Sequence, residues 1–124
     1  MTNKEIFQLE ILTRIRKTFF DAIATEEENK KLGIDFGIRD NSAERINIFL
    51  LELFPINSEK ILKKVKVFVE ELIENNYINF AQIILQKIVE NNSVEAKSWL
   101  VDMIEVEALD GWLRNIIKEE VKIN

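Results

Sequence analysis

The sequence predicts an all-α protein: a compact bundle or short helical-hairpin array of five to six helices, forming one domain over residues 1–124. Three observations carry that reading. Five segments repeat apolar residues at i, i+3, i+4 and i+7, the spacing of one helix face. The 124 residues include three glycines and one proline, too few for the many turns of a sandwich or barrel. Residues 77–89, Tyr-Ile-Asn-Phe-Ala-Gln-Ile-Ile-Leu-Gln-Lys-Ile-Val, carry a single charge at Lys87. At about 100° per residue, the apolar side chains of that stretch cover close to half of a helix, and Phe80 and Ile83 fall outside the arc. A helix so apolar should be surrounded, which makes it the expected centre of the bundle. It falls short of the roughly 20 apolar residues that cross a bilayer, so no membrane association is expected.

Taken in order, Thr2 and Glu5 have capping-box spacing and open a first helix from about Asn3 to Glu27 or beyond. Ile11, Leu12, Ile15, Phe19, Ala22 and Ile23 form its stripe, with Leu9 and Phe20 widening it. Glu10–Arg14 and Lys17–Asp21 are i,i+4 pairs on the opposite, solvated face. Ile6 and Phe7 leave the stripe. Residues 25–42 read as the main non-helical stretch, in which Gly33 is a C-cap and Ile34, Phe36 and Ile38 alternate as a short extended piece does. An apolar loop tucked over the bundle end is favoured there over a ligand lid. Asp35-Phe36-Gly37 is a chance match to the kinase metal-binding tripeptide, since the other kinase elements are absent.

Asn41 and Glu44 then start a helix over Ala43 to Phe54, which Pro55 stops. Its stripe is Ile46, Phe49, Leu50, Leu53 and Phe54, while Ile48 and Leu51 point elsewhere. Ser58 caps a third helix, Glu59 to Asn75, with Ile61, Leu62, Val65, Phe68, Val69, Leu72 and Ile73 in register. Its outer face runs from Lys60, Lys63, Lys64 and Lys66 to Glu70, Glu71 and Glu74, an order opposed to the helix dipole. The central helix follows and ends at Asn91-Asn92. Ser93, or Asn92 with Glu95, caps a fifth helix with Ala96, Trp99, Leu100, Met103 and Ile104 inward, ending near Val106. Asp110 caps a last helix with Trp112, Leu113, Ile116 and Ile117 inward. Asp110-Gly111 could equally be a bend in one long helix over 93–122.

Within Tyr77 to Val106, the order of Ala81, Gln86-Lys87 and Trp99 weakly resembles a tetratricopeptide helical hairpin. No proline closes the pair, no glycine sits in the fifth helix, and no second copy appears at a period near 34. Generic hairpin packing accounts for the match, and no family is assigned.

Composition excludes much chemistry. Cysteine and histidine are both absent, which removes disulfides, thiolate nucleophiles, histidine-based dyads and the usual zinc and haem ligands. No phosphate-cradling strand–loop–helix motif is present. The formal net charge of −5 disfavours nucleic acid, whose phosphates need a basic face. No targeting pattern marks the N-terminus, so a cytoplasmic protein is expected. Neither a catalytic residue nor a cofactor or metal site is assigned.

Two features point to a protein partner. Between Glu90 and Asp110 stand six carboxylates (Glu90, Glu95, Asp102, Glu105, Glu107, Asp110) against Lys97, an excess equal to the whole net charge of −5. Glu95, Asp102 and Glu105 share one side of the fifth helix, a candidate recognition face for a basic partner. One helix face rarely converges enough oxygens for a hard cation. On the central helix, Asn79, Gln82 and Gln86 form an amide stripe, the residue type suited to a partly wet contact where a full charge would be costly to bury. Ile6 and Phe7 are candidate self-association residues for a homodimer. The expected function is a small acidic protein–protein interaction domain, an adaptor, assembly subunit or regulator without catalysis of its own. The alternative is an inhibitor or immunity-type protein that neutralises a basic nuclease or toxin. A carboxylate–metal enzyme comes third.

Overall fold

The computed structural model describes residues 2–32 and 42–121, apart from the side chains of Asn29 and Leu32. Over these residues the protein is all-α, with six helices and no strand: α1 (Asn3–Leu32), α2 (Ser42–Leu53), α3 (Glu59–Glu74), α4 (Ile78–Asn92), α5 (Lys97–Met103) and α6 (Gly111–Val121). The chain divides into two compact units, Met1–Leu53 and Phe54–Asn124.

In the first unit α1 packs against α2. The capping box at its start is made: the Glu5 amide donates to Thr2 Oγ1 at 3.1 Å, and the Thr2 amide donates back to Glu5 Oε1 at 3.2 Å. Two orphan amides of the first turn are thereby satisfied. Ile11, Leu12 and Ile15 of α1 are buried, as are Ile46, Leu50 and Leu53 of α2. Gln8, which the apolar pattern did not mark, is buried too, and its Nε2 donates to the Leu53 carbonyl at 3.1 Å. That carbonyl belongs to the last turn of α2, where no intrahelical partner exists. A polar side chain in the core therefore closes a helix end. Pro55, two residues past Leu53, stops α2 as expected.

Helix α1 continues to Leu32, so residues 25–32 are helical rather than the start of a loop. Thr25 Oγ1 donates to the Asp21 carbonyl at 2.9 Å, and Lys30 pairs with Glu26 at 3.5 Å. Local side-chain contacts extend the helix because nothing before Gly33 breaks it. The C-cap at Gly33, the extended piece at Ile34, Phe36 and Ile38, and the Asn41 cap lie outside the described residues.

In the second unit α4 packs against both α3 and α6, and α5 packs against α6. Ile61, Leu62, Val65, Phe68, Val69 and Leu72 of α3 are buried, as are Ala81, Ile84, Leu85, Ile88 and Val89 of α4. Phe68 and Phe80 meet edge to face, 6.0 Å between centroids. Ser58 stands at the N-cap of α3 in extended conformation, but its side chain makes no capping bond. A backbone bond from the Leu62 amide to the Ser58 carbonyl, 3.0 Å, opens that helix.

The α3–α4 turn is a Schellman motif. Asn76 has φ 65, its amide bonds the Ile73 carbonyl at 3.1 Å, and the Tyr77 amide bonds the Leu72 carbonyl at 2.8 Å. The left-handed position normally prefers glycine and takes asparagine next. Asn76→Gly is expected to leave stability unchanged or raise it by up to about 1 kcal/mol, and Asn76→Val to lower it by about 1–2 kcal/mol. Denaturant melts of both variants check this; equal melts for the two would refute the motif's role.

Asn92 does not cap α5. It is buried at the end of α4, where Oδ1 accepts from the Ile56 amide at 3.0 Å and Nδ2 donates to the Ile56 carbonyl at 2.8 Å. The side-chain amide substitutes for a backbone partner and ties the segment before α3 to the end of α4. Residues 93–121 hold two helices rather than one, and α5 ends at Met103 instead of near Val106. The chain then tightens through i→i−3 bonds from the Ile104, Val106 and Leu109 amides. That winding leaves Glu107 exposed and buries Leu109, sparing a carboxylate that a continued helix would place in the core stripe.

Candidate functional site

The surface residues of interest gather in the second unit, on α4, α5 and α6. On α4, Asn79, Ile83, Gln86 and Glu90 lie at i, i+4, i+7 and i+11, one line along the helix, and all four are exposed. Gln86 Nε2 donates to Glu90 Oε1 at 3.4 Å. Asn79 and Gln86 are thus on the surface, as the amide stripe requires. Gln82 is not: it is buried, and both ends of its amide are engaged by Asp110. Its Oε1 accepts from the Asp110 amide at 2.6 Å and its Nε2 donates to Asp110 Oδ2 at 3.1 Å. It is an internal latch between α4 and the start of α6, buried away from any partner at the surface.

Asp110 Oδ2 also accepts from Trp112 Nε1 at 3.2 Å. The indole is thereby tied, through Asp110, to Gln82 of α4. Trp112 was expected inward with Ile116, but the core takes Leu109, Leu113 and Ile117, an i,i+4,i+8 line fully buried at α6. Trp112 and Ile116 stand about 60–100° off that line and remain 48% and 38% exposed. The Asp110 side chain, acting as acceptor, holds the indole at the rim. An Asp two residues before a Trp at a helix start is the sequence signal that foreshadows this arrangement.

The opposite flank of α6 meets the end of α5. Ile104 and Glu105 share a depression of about 270 Å³ with Gly111, Arg114, Asn115 and Lys118. This splits the expected acidic face. Glu95 lies in the turn before α5, Asp102 on the helix itself, and Glu105 in the turn after it, on the side of Arg114 and Lys118. All three are exposed, but a seven-residue helix carries only Asp102 of the three. Among the described residues no group of three or more acidic side chains is arranged to hold a metal ion. No helix of the described residues is long and apolar enough to cross a membrane. On α3, Lys63 lies 3.7 Å from Glu59, so part of the lysine run is offset locally.

In the first unit, Ile6 and Phe7 are 43% and 49% exposed, and Ile48 and Leu51 of α2 are exposed as well. Such residues in isolation are ordinary on a protein surface. Comparison with known proteins returns no matching family model, no matching characterised protein and no matching solved structure.

Proposed function

We propose that the protein is a small acidic protein–protein interaction domain, an adaptor, assembly subunit or regulator that acts in the cytoplasm and has no catalytic activity of its own. The observation that carries this reading is the exposure of all six carboxylates between Glu90 and Asp110. With Lys97 as the one cation in that segment, they give the second unit a local negative field. Such a field accelerates encounter with a basic partner and rejects acidic ones. Affinity capture from the native host followed by mass spectrometry tests it. A basic partner retained at low salt and released as salt rises is expected; no specific protein retained at any salt would end the reading.

The same exposed carboxylates support a second reading, an inhibitor or immunity-type protein for a basic nuclease or toxin. Stoichiometric loss of that enzyme's activity on adding the protein distinguishes it from an adaptor, which leaves its partner active.

Self-association is proposed through Ile6 and Phe7 of α1, whose exposure agrees with their position off the helix stripe. Sedimentation at tens of micromolar is expected to show a dimer that Phe7→Asp dissociates. A monomer unchanged by that substitution would rule the contact out.

A further inference from the structure

The α4–α6 seam combines three features that the acidic segment alone does not have. Trp112 and Ile116 of α6 and Ile83 of α4 are all more than a third exposed. The neighbouring polar groups on α4, Asn79 and Gln86, are uncharged and exposed. The charges on that side of α6 are acidic: Asp110 at its start and Glu119 one turn beyond Ile116 are exposed. Lys87 and Glu90, 4.0 Å apart, offset one another, while Arg114 and Lys118 occupy the other flank of α6 with the end of α5. The apolar centre is thus bordered by net negative charge.

We propose that this seam docks a basic amphipathic helix of a partner protein, with Trp112 as the anchor. The inference rests on the protein-binding reading above and names the partner's chemistry. A helix fits for a geometric reason: Trp112 and Ile116 are spaced i,i+4, and the α4 line runs at i, i+4, i+7, so both sides offer ridges of helical period. No strand exists among the described residues to offer a sheet edge to an extended peptide. From Trp112 to Glu119 the seam spans about 10 Å along α6, or two turns. Lysines or arginines flanking the partner's apolar stripe would meet Asp110 and Glu119. Tryptophan at the centre of a contact, ringed by groups that exclude water, is the usual carrier of binding energy. The hydrogen bond to Asp110 fixes the indole before binding, which lowers the ordering cost.

The probe is an 18-residue fluorescent peptide with leucines on one helical face and lysines on the other, alongside a scrambled peptide of the same composition. Anisotropy titration against the full chain is expected to show saturable binding of the amphipathic peptide and at least about tenfold weaker binding of the scrambled one. Trp112→Ala and Ile116→Asp should each weaken binding at least about tenfold with helicity retained. Glu119→Lys should weaken it at low salt and lose its effect at high salt, whereas Asp102→Lys should change it little. Equal binding of both peptides, or retained binding in Trp112→Ala and Ile116→Asp, overturns the seam and leaves only diffuse acidic attraction. If Trp112→Ala loses its fold, Ile116→Asp decides. In host capture, a partner held equally by wild type and Ile116→Asp removes the seam but not the protein-binding reading, and no partner for wild type removes that reading itself.

Discussion

Ile88→Ala is expected to destabilise the protein by about 2–5 kcal/mol, the range for deleting a buried branched chain and leaving a partly collapsed cavity. Ile88 is fully buried on α4, and Ile84 one turn earlier nearly so. The helix packs against α3 on one side and α6 on another, so the hole has rigid walls and relaxation is limited. Ile84→Ala should behave alike. A loss of this size is a large share of a typical total of about 5–15 kcal/mol. Ile83→Ala is the control: Ile83 is 45% exposed on the same helix and should cost under about 1 kcal/mol. Urea melts check all three, and losses below about 1 kcal/mol for both Ile84 and Ile88 would remove α4 from the core.

Asn92→Leu is expected to cost about 2–4 kcal/mol for a different reason. The substitution strips partners from the amide and carbonyl of Ile56, a buried residue. Each buried backbone group left without a hydrogen bond costs about 1–3 kcal/mol, slightly offset by the better helix propensity and apolarity of leucine. Asn92→Asp should be as damaging, because a carboxylate can accept from the Ile56 amide but opposes its carbonyl with like charge. Asn91, the exposed neighbour whose Nδ2 bonds the Lys87 carbonyl, should tolerate alanine within about 0.5 kcal/mol. Equal melts for Asn91→Ala and Asn92→Leu would show that the tie between the segment before α3 and the end of α4 carries no stability.

The helices themselves were legible in the chain. Most apolar residues at helical period along α3 and α4 are the residues now buried, with Ile73, Tyr77 and Ile78 half-buried at the helix ends, because a helix bound on one side must bury that side whatever its neighbours are. The Thr2–Glu5 box, the stop at Pro55 and the break at Asn75-Asn76 depend on backbone chemistry within a few residues, which sequence states directly. The exposure of Asn79, Gln86, Ile6 and Phe7 followed from the same periodicity.

What tertiary structure decided were the pairings of polar groups distant in sequence. Gln8 with Leu53, Gln82 with Asp110, and Asn92 with Ile56 are 45, 28 and 36 residues apart. Each side chain has several hydrogen-bonding options locally, so its residue type alone does not choose among surface, cap and core latch. The choice falls to whichever unsatisfied backbone or carboxylate group the packing brings within about 3 Å. Gln82 left the surface stripe for that reason, and Asp110, by holding both Gln82 and Trp112, moved the indole from the expected core to the rim. The end of α5 was likewise set from outside: continuing the helix would bury Glu107, whereas the tighter turn buries Leu109 instead.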